Sequence, residues 1–235
     1  MCYKERETAP WAGRAFIHMK TLGWLVSLTL GSIGVVNVNF DAGAPGKMPP
    51  GWTSTMTYAG APPHWEILKD PSAPSPPNVL AQISSDSNEI RGPLAILNKV
   101  NVKDGDLSVK IKPVSGNKDR AGGLVWRYQD PDNYYLLQAE SLRNHIVLYK
   151  VKDSKRTPLV AKGMPPRTYG VEHPVPANQW SVLKVQFRGP LFSVYFNHRR
   201  LFQVVDSTFA DTGKVGLSTR ADSVTYFDDF RIAGK

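Results

Sequence analysis

The chain has 235 residues, long enough for one sizeable core, and all-β chains of this length commonly form one domain. Apolar residues make up 41% and charged residues 21%, an ordinary globular balance that excludes wholesale disorder. The 29 Lys and Arg against 20 Asp and Glu give +9, but no basic run exceeds two residues. That spread is a solvated surface and points to no nucleic-acid partner.

The N-terminal 36 residues read as a leader. Met19-Lys20 precedes "TLGWLVSLTLGSIGVV", a mostly apolar stretch over residues 21–36. Its length suits a signal-peptide core and is too short for a membrane span. Ser32 and Gly34 are small residues at the −3 and −1 positions of a cut after Gly34. Residues 1–18 fit nothing, so the expected start is Met19. Loss of residues 1–34 leaves 25 basic against 18 acidic residues, or +7. The only cysteine, Cys2, goes with the leader, so the remaining domain has no disulfide. No Asn-x-Ser/Thr sequon occurs. The expected location is the periplasm or the exterior, with no stable membrane span in the mature chain.

Residues 37–235 read as one all-β domain. "HWEILKD" (residues 64–70) and "NVLAQIS" (residues 78–84) are predicted strands, separated by "PSAPSPP", which lacks ladder donors and must loop. In "DLSVKIKP", Leu107, Val109 and Ile111 share one face, and Ser108, Lys110 and Lys112 the other. "WSVLKVQF" and "LFSVYF" flank the tight "RGP" turn, and "NHRR" makes the next turn before "LFQVV". "KVGLSTR" and "SVTYFDDFRI" close the chain. No internal repeat is visible. Many short strands with turn residues between them predict a two-sheet antiparallel sandwich.

The hairpin of residues 121–141, "AGGLVWRYQDPDNYYLLQAES", carries the most information. With Asp130-Pro131-Asp132-Asn133 as the turn, Gln129 is expected opposite Tyr134, Arg127 opposite Leu136, Val125 opposite Gln138 and Gly123 opposite Glu140. Leu124, Trp126, Tyr128, Tyr135, Leu137 and Ala139 then form the core face. The opposite face is mixed: Arg127, Gln129, Gln138 and Glu140, with Tyr134 and Leu136 among them. Two readings stand. It is the wet side of a sheet with an Arg127–Glu140 or Arg127–loop ion pair, or a hydrogen-bonding platform suited to sugar hydroxyls and C–H faces.

Catalytic signatures are missing. There is no Gly-x-Ser-x-Gly elbow, phosphate loop, His-Glu-x-x-His, cysteine cluster or Glu-x-Asp-x-x-Glu. His64, His145, His173 and His198 fall at strand starts or in loops and read as surface residues. On the hairpin strand, Glu140 is the single acid, with Gln138 two residues before it. No cofactor is expected. Asp41 and Asp228 are candidates to clip the first and last strands through a structural Ca²⁺ ion, although two acids supply few of the oxygens Ca²⁺ takes.

The hairpin, the "WSVLKV" of residues 180–185 and the closing "GKVGLSTRADSVTYFDDFRI" together resemble the concanavalin A-like, laminin-G-like jelly rolls of bacterial exported proteins. The nearest group in pattern is the 3-keto-disaccharide hydrolase, or family-16-glycosidase-like, domain, over about residues 38–233. The resemblance implies a concave sheet face that receives saccharides. It puts Arg127, Gln138 and Glu140 on that face and adds Arg220 from "LSTRADS". Some members of the group hydrolyse oxidised disaccharides and others are binding modules.

The expected function is therefore an exported jelly roll that binds an oligo- or polysaccharide. Arg127 and Arg220 would donate to hydroxyls or a carboxylate, Gln138 and Glu140 would accept, and Tyr134 would stack on a sugar face. The alternative is a glycoside hydrolase acting on (3-keto-)disaccharides or oligosaccharides with Glu140 as general acid or base. A third reading is a structural envelope protein that docks partners on its basic surface.

Overall fold

The computed structural model describes Met1 and residues 34–234. The expected start at Met19 and the body of the leader lie outside the described residues. The described part is built from strands alone: β1 (Gly34–Val38), β2 (Trp52–Thr57), β3 (Trp65–Lys69), β4 (Asn78–Gln82), β5 (Gly92–Val102), β6 (Gly105–Ser115), β7 (Ala121–Asp130) and β8 (Asn133–Glu140). There follow β9 (His145–Lys152), β10 (Lys155–Pro158), β11 (Val171–Glu172), β12 (Ser181–Arg188), β13 (Leu191–Phe196), β14 (Arg199–Val205), β15 (Gly213–Ser218) and β16 (Val224–Gly234). Among the described residues no helix is long and apolar enough to cross a membrane. The expected leader boundary at residue 36 falls inside β1, where Gly34–Val38 pairs with Phe230–Gly234 of β16.

Two eight-stranded antiparallel sheets face each other. The first runs β14-β13-β12-β6-β16-β4-β3, with β1 also on β16. The second runs β10-β9-β8-β7-β15-β5-β2, with β11 on β9. Alternation explains the layering. Leu107, Val109 and Ile111 of β6 and Leu183, Val185 and Phe187 of β12 point into the core, and their sequence neighbours point out. From the other sheet, Leu124, Trp126, Tyr135 and Leu137 meet them. The Trp126 ring stacks on Tyr135 at 5.4 Å and on Phe187 at 6.0 Å, and meets Phe192 edge-on at 5.4 Å. The β13–β14 turn is the two residues Asn197-His198, both at positive φ (42° and 68°), as a primed hairpin turn requires.

The β7–β8 register differs from expectation at one place. Near the sheet centre Trp126 pairs with Tyr135, Val125 with Leu136, Gly123 with Gln138 and Ala121 with Glu140. At the turn Asp130 pairs with Asn133. Three residues, Arg127, Tyr128 and Gln129, therefore oppose Tyr134 alone, and the ladder breaks there. Arg127 takes φ +48°, and the bulge reverses the expected faces of Arg127 and Tyr128.

Tyr128 turns outward into a second apolar cluster with Leu94, Ile96, Val125, Tyr134, Leu136 and Val151, on the side of the sheet away from the core. Arg127 turns inward. It is 1% exposed and lies over Phe187 and Phe192, with its guanidinium carbon 6.0 and 5.5 Å from their ring centroids. Nε donates to the Lys103 carbonyl at 3.1 Å, Nη1 to Phe209 at 2.7 Å and Nη2 to Gly189 at 2.6 Å; Asp104 Oδ1 stands 3.4 Å from Nη2. With a partner at each of its three nitrogens, the guanidinium offsets the desolvation that alternation alone would forbid. Gly213 makes the bulge possible: a Cβ there would stand 2.5 Å from the Arg127 carbonyl carbon.

Candidate functional site

The outer face of the second sheet carries a groove at its β8–β9–β10 end. Antiparallel pairing puts Gln138 opposite Val147, Glu140 opposite His145 and Leu136 opposite Tyr149, so these side chains share one face. Arg156 of β10 adds its side chain to that face. Two loops close over the strand ends: Asp119 precedes β7, and Arg220 follows β15. Tyr58, just past β2, and Ile90, before β5, complete the rim of a cavity of about 650 Å³.

Each polar group is held by its own device. Asp222 accepts the amides of Asn117, Lys118 and Asp119 at 2.7, 3.0 and 3.1 Å, which fixes the loop that presents Asp119. Against the cost of burial, those amides keep the Asp222 carboxyl below the usual range. Arg220 Nε sits 3.1 Å from Asp119 Oδ2. Asp119 is 2% exposed, and its Oδ1 is buried with no hydrogen-bond partner. Burial, reinforced by the Glu140 carboxylate, pushes the Asp119 carboxyl up to about 7, against the pull of Arg220 and Arg143.

Glu140 accepts the amides of Leu142 and Arg143 at 3.0 and 3.1 Å, and Arg143 Nη1 at 3.2 Å. Arg156 donates through Nη2 to Gln138 Oε1, and its guanidinium lies 3.7 Å above the Tyr149 ring centroid. The groove thus joins two carboxylates, an amide, three guanidinium groups and two phenol rings. Such an array can bind hydroxyl-rich or charged ligands, and burial makes Asp119 hold its proton more tightly than an ordinary carboxyl does.

The structure brings three of the expected site residues together: Gln138, Glu140 and Arg220 all line the groove. Arg127 is not among its lining residues, because the bulge sends it to the core side. Of its two expected partners, Arg127 meets the loop acid, Asp104 Oδ1 at 3.4 Å, and Glu140 pairs with Arg143 instead. Tyr134 shares the face but is 2% exposed, with its hydroxyl 2.7 Å from Thr57 Oγ1, so its ring offers no free stacking surface. The rings that line the groove are Tyr58 and Tyr149. Sequence pattern offered no signal for Asp119, which lies in the irregular "SGNKDR" loop. Arg156 and Tyr149 escape the sequence reading too, because only the β8–β9 and β9–β10 pairing sets them beside Gln138.

Asp41 and Asp228 meet across Ser75. Asp41 accepts the Asn78 amide at 3.1 Å and Asn39 Nδ2 at 2.7 Å. Asp228 accepts the amides of Ser75 at 2.8 Å and Asp229 at 2.7 Å, and burial pushes its carboxyl up to about 6. Among the described residues no group of three or more His, Cys, Asp or Glu is placed to hold a metal ion. A Ca²⁺ ion at Asp41 and Asp228 would have to take over oxygens that already accept protein donors.

No family model matches the sequence, and no curated protein matches it. Solved structures do match in shape. The carbohydrate binding module CBM66 from Bacillus subtilis superposes with a TM-score of 0.58 at 18% identity, covering 77% of this chain and 94% of that one. The beta-glucanase of Bacillus licheniformis gives 0.57 at 9% identity, covering 86% and 99%. Domain 4 of AbnA, a GH43 extracellular arabinanase from Geobacillus stearothermophilus in complex with arabinotriose, gives 0.52 at 13% identity, covering 84% and 90%. At such identities the likeness is one of fold: the chain is a two-sheet antiparallel jelly-roll sandwich.

Proposed function

We propose that this chain is an exported carbohydrate-binding protein and that the groove holding Gln138, Glu140, Asp119, Arg156 and Arg220 is its ligand site. One observation carries the proposal. Planar donors and acceptors from five separate segments converge on one cavity beside the Tyr58 and Tyr149 rings. Hydroxyls need such directional partners, and sugar C–H faces suit aromatic rings. The names of the similar structures support the same reading, since they include a carbohydrate binding module and a domain holding arabinotriose. A glycan array followed by calorimetry tests it. Binding of at least one saccharide, lost in Gln138→Ala and Arg220→Ala, is expected. An array and titrations with no ligand would sink the proposal.

A hydrolytic reading rests on a separate observation, the placing of Asp119 beside Glu140 in one groove. Asp119, with its carboxyl at about 7, would be the proton donor to a leaving glycosidic oxygen, and Glu140 the base toward water. Incubation with 3-keto-glucosides and with ordinary oligosaccharides tests this. Turnover abolished by Asp119→Asn and by Glu140→Gln is expected. Intact substrate after long incubation at pH 5 to 8 leaves binding alone.

A further inference from the structure

On the reading that the groove is a saccharide site, we infer that it selects a saccharide carrying a negatively charged substituent, a uronate carboxylate or a sulfate ester. The inference rests on which charges in the groove already have partners. Four permanent cations line it: Arg143, Lys155, Arg156 and Arg220. Two carboxylates stand against them. Glu140 spends both oxygens on Arg143 and on two main-chain amides. Asp119 spends Oδ2 on Arg220. Arg156 and Lys155 have no carboxylate within ion-pair distance among the described residues.

Arg156 is the informative one. It is partly buried, and its Nε is shut from solvent without a hydrogen-bond partner. Among the described residues its sole acceptor is the neutral amide oxygen of Gln138. Stacking on Tyr149 fixes the plane of the guanidinium, so its remaining N–H groups are aimed before any ligand arrives. A half-desolvated cation with no counter-charge is costly on its own, and a carboxylate or sulfate oxygen would complete it. Lys155, the residue before it, is exposed at the mouth and adds a second positive charge. Asp119 weakens this field less than an ordinary carboxylate would, because burial raises its carboxyl to about 7. A groove with an excess of one sign concentrates ligands of the other.

The test is calorimetry of the whole protein with size-matched oligosaccharides: neutral, uronate-bearing and sulfated. At least one acidic series is expected to bind about tenfold tighter than the neutral one. The two acidic arms separate carboxylate from sulfate recognition. The gain should shrink as salt is raised from 0.05 to 0.5 M, roughly as screening predicts. Arg156→Gln should erase the preference. Lys155→Gln, at an exposed position where folding is not at stake, should reduce it severalfold. Neutral ligands that bind as tightly as both acidic series, or a preference untouched by Lys155→Gln and Arg156→Gln, would overturn the inference alone. Failure of every saccharide to bind would overturn the site itself, and the inference with it.

Discussion

Arg220 Nε lies 3.1 Å from Asp119 Oδ2, and the two residues reach that contact on loops pinned by different anchors. Asp222 holds the Asp119 loop through three amides. The buried Arg91 holds the Arg220 loop: its Nη1 donates to the Ala221 carbonyl at 3.0 Å, and its own carbonyl accepts the Ala221 amide at 2.9 Å. The groove is thus assembled by tertiary contacts around two ladder strands.

The pair makes stability depend on pH in a definite direction. The folded value of Asp119, about 7, stands above the ordinary 3.8. Between those two values the folded protein keeps a proton that the unfolded chain releases, so stability falls as pH rises through that window. The loss reaches at most about 4 kcal/mol, taking 1.36 kcal/mol per pH unit. Asp119→Asn removes this slope. Urea titrations at pH 4.5 and 8 should show the variant gaining on the wild type as pH rises. Asp228, at about 6, acts in the same direction in both proteins and cancels from the difference. Parallel profiles would show that Asp119 is not the group that holds the proton.

Arg127 belongs to the framework. Arg127→Ala strands the carbonyls of Lys103, Phe209 and Gly189 and empties the space over Phe187 and Phe192. A loss of about 3–5 kcal/mol is expected in chemical denaturation. Ligand affinity of the folded fraction should stay within about twofold. Gly213→Ala attacks the same bulge from the neighbouring strand, through a Cβ only 2.5 Å from the Arg127 carbonyl carbon. It should cost about 1–3 kcal/mol. A wild-type denaturation midpoint for either variant would contradict the role of the bulge.

Arg91 should matter to both folding and binding. Its guanidinium donates to the carbonyls of Ala61, Pro62 and Ala221 and to Ser84 Oγ. Those contacts tie the loops beside Tyr58 and Arg220 to one buried charge. Arg91→Leu should destabilise by about 3 kcal/mol and speed amide exchange over residues 58–64. Any ligand affinity at the groove should fall with it. Unchanged exchange in that segment would mean that the loops are held by other means.

Tyr58→Ala separates stacking from scaffolding. Tyr58 is half-buried at the rim, with φ +67°, and lines the groove. Loss of its ring should weaken saccharide binding about tenfold with stability changed by less than about 1 kcal/mol. Tyr58→Phe should keep most of the affinity. Equal affinity in Tyr58→Ala would exclude the ring from the site.

The sequence by itself determined the all-β, two-sheet class, the strands β3, β4, β6 to β8 and β12 to β16, and the buried side of β6 and of the β7–β8 hairpin away from its bulge. Those features follow from a period of two and from turn residues, which act over a few positions. Leu107, Val109 and Ile111, or Trp126 and Leu137, have no other way to leave water. It also determined that Gln138 and Glu140 leave the core together, because Ala139 between them enters it. Only the tertiary structure decided the rest. Arg127 obeys the alternation until three distant carbonyls, from Lys103, Gly189 and Phe209, outweigh it, and no local pattern encodes acceptors 24 to 82 residues away. Asp119, Arg156 and Arg220 meet for the same reason. Their chemistry is set by loop anchors and by the burial that packing imposes, and both exist only once the chain has folded.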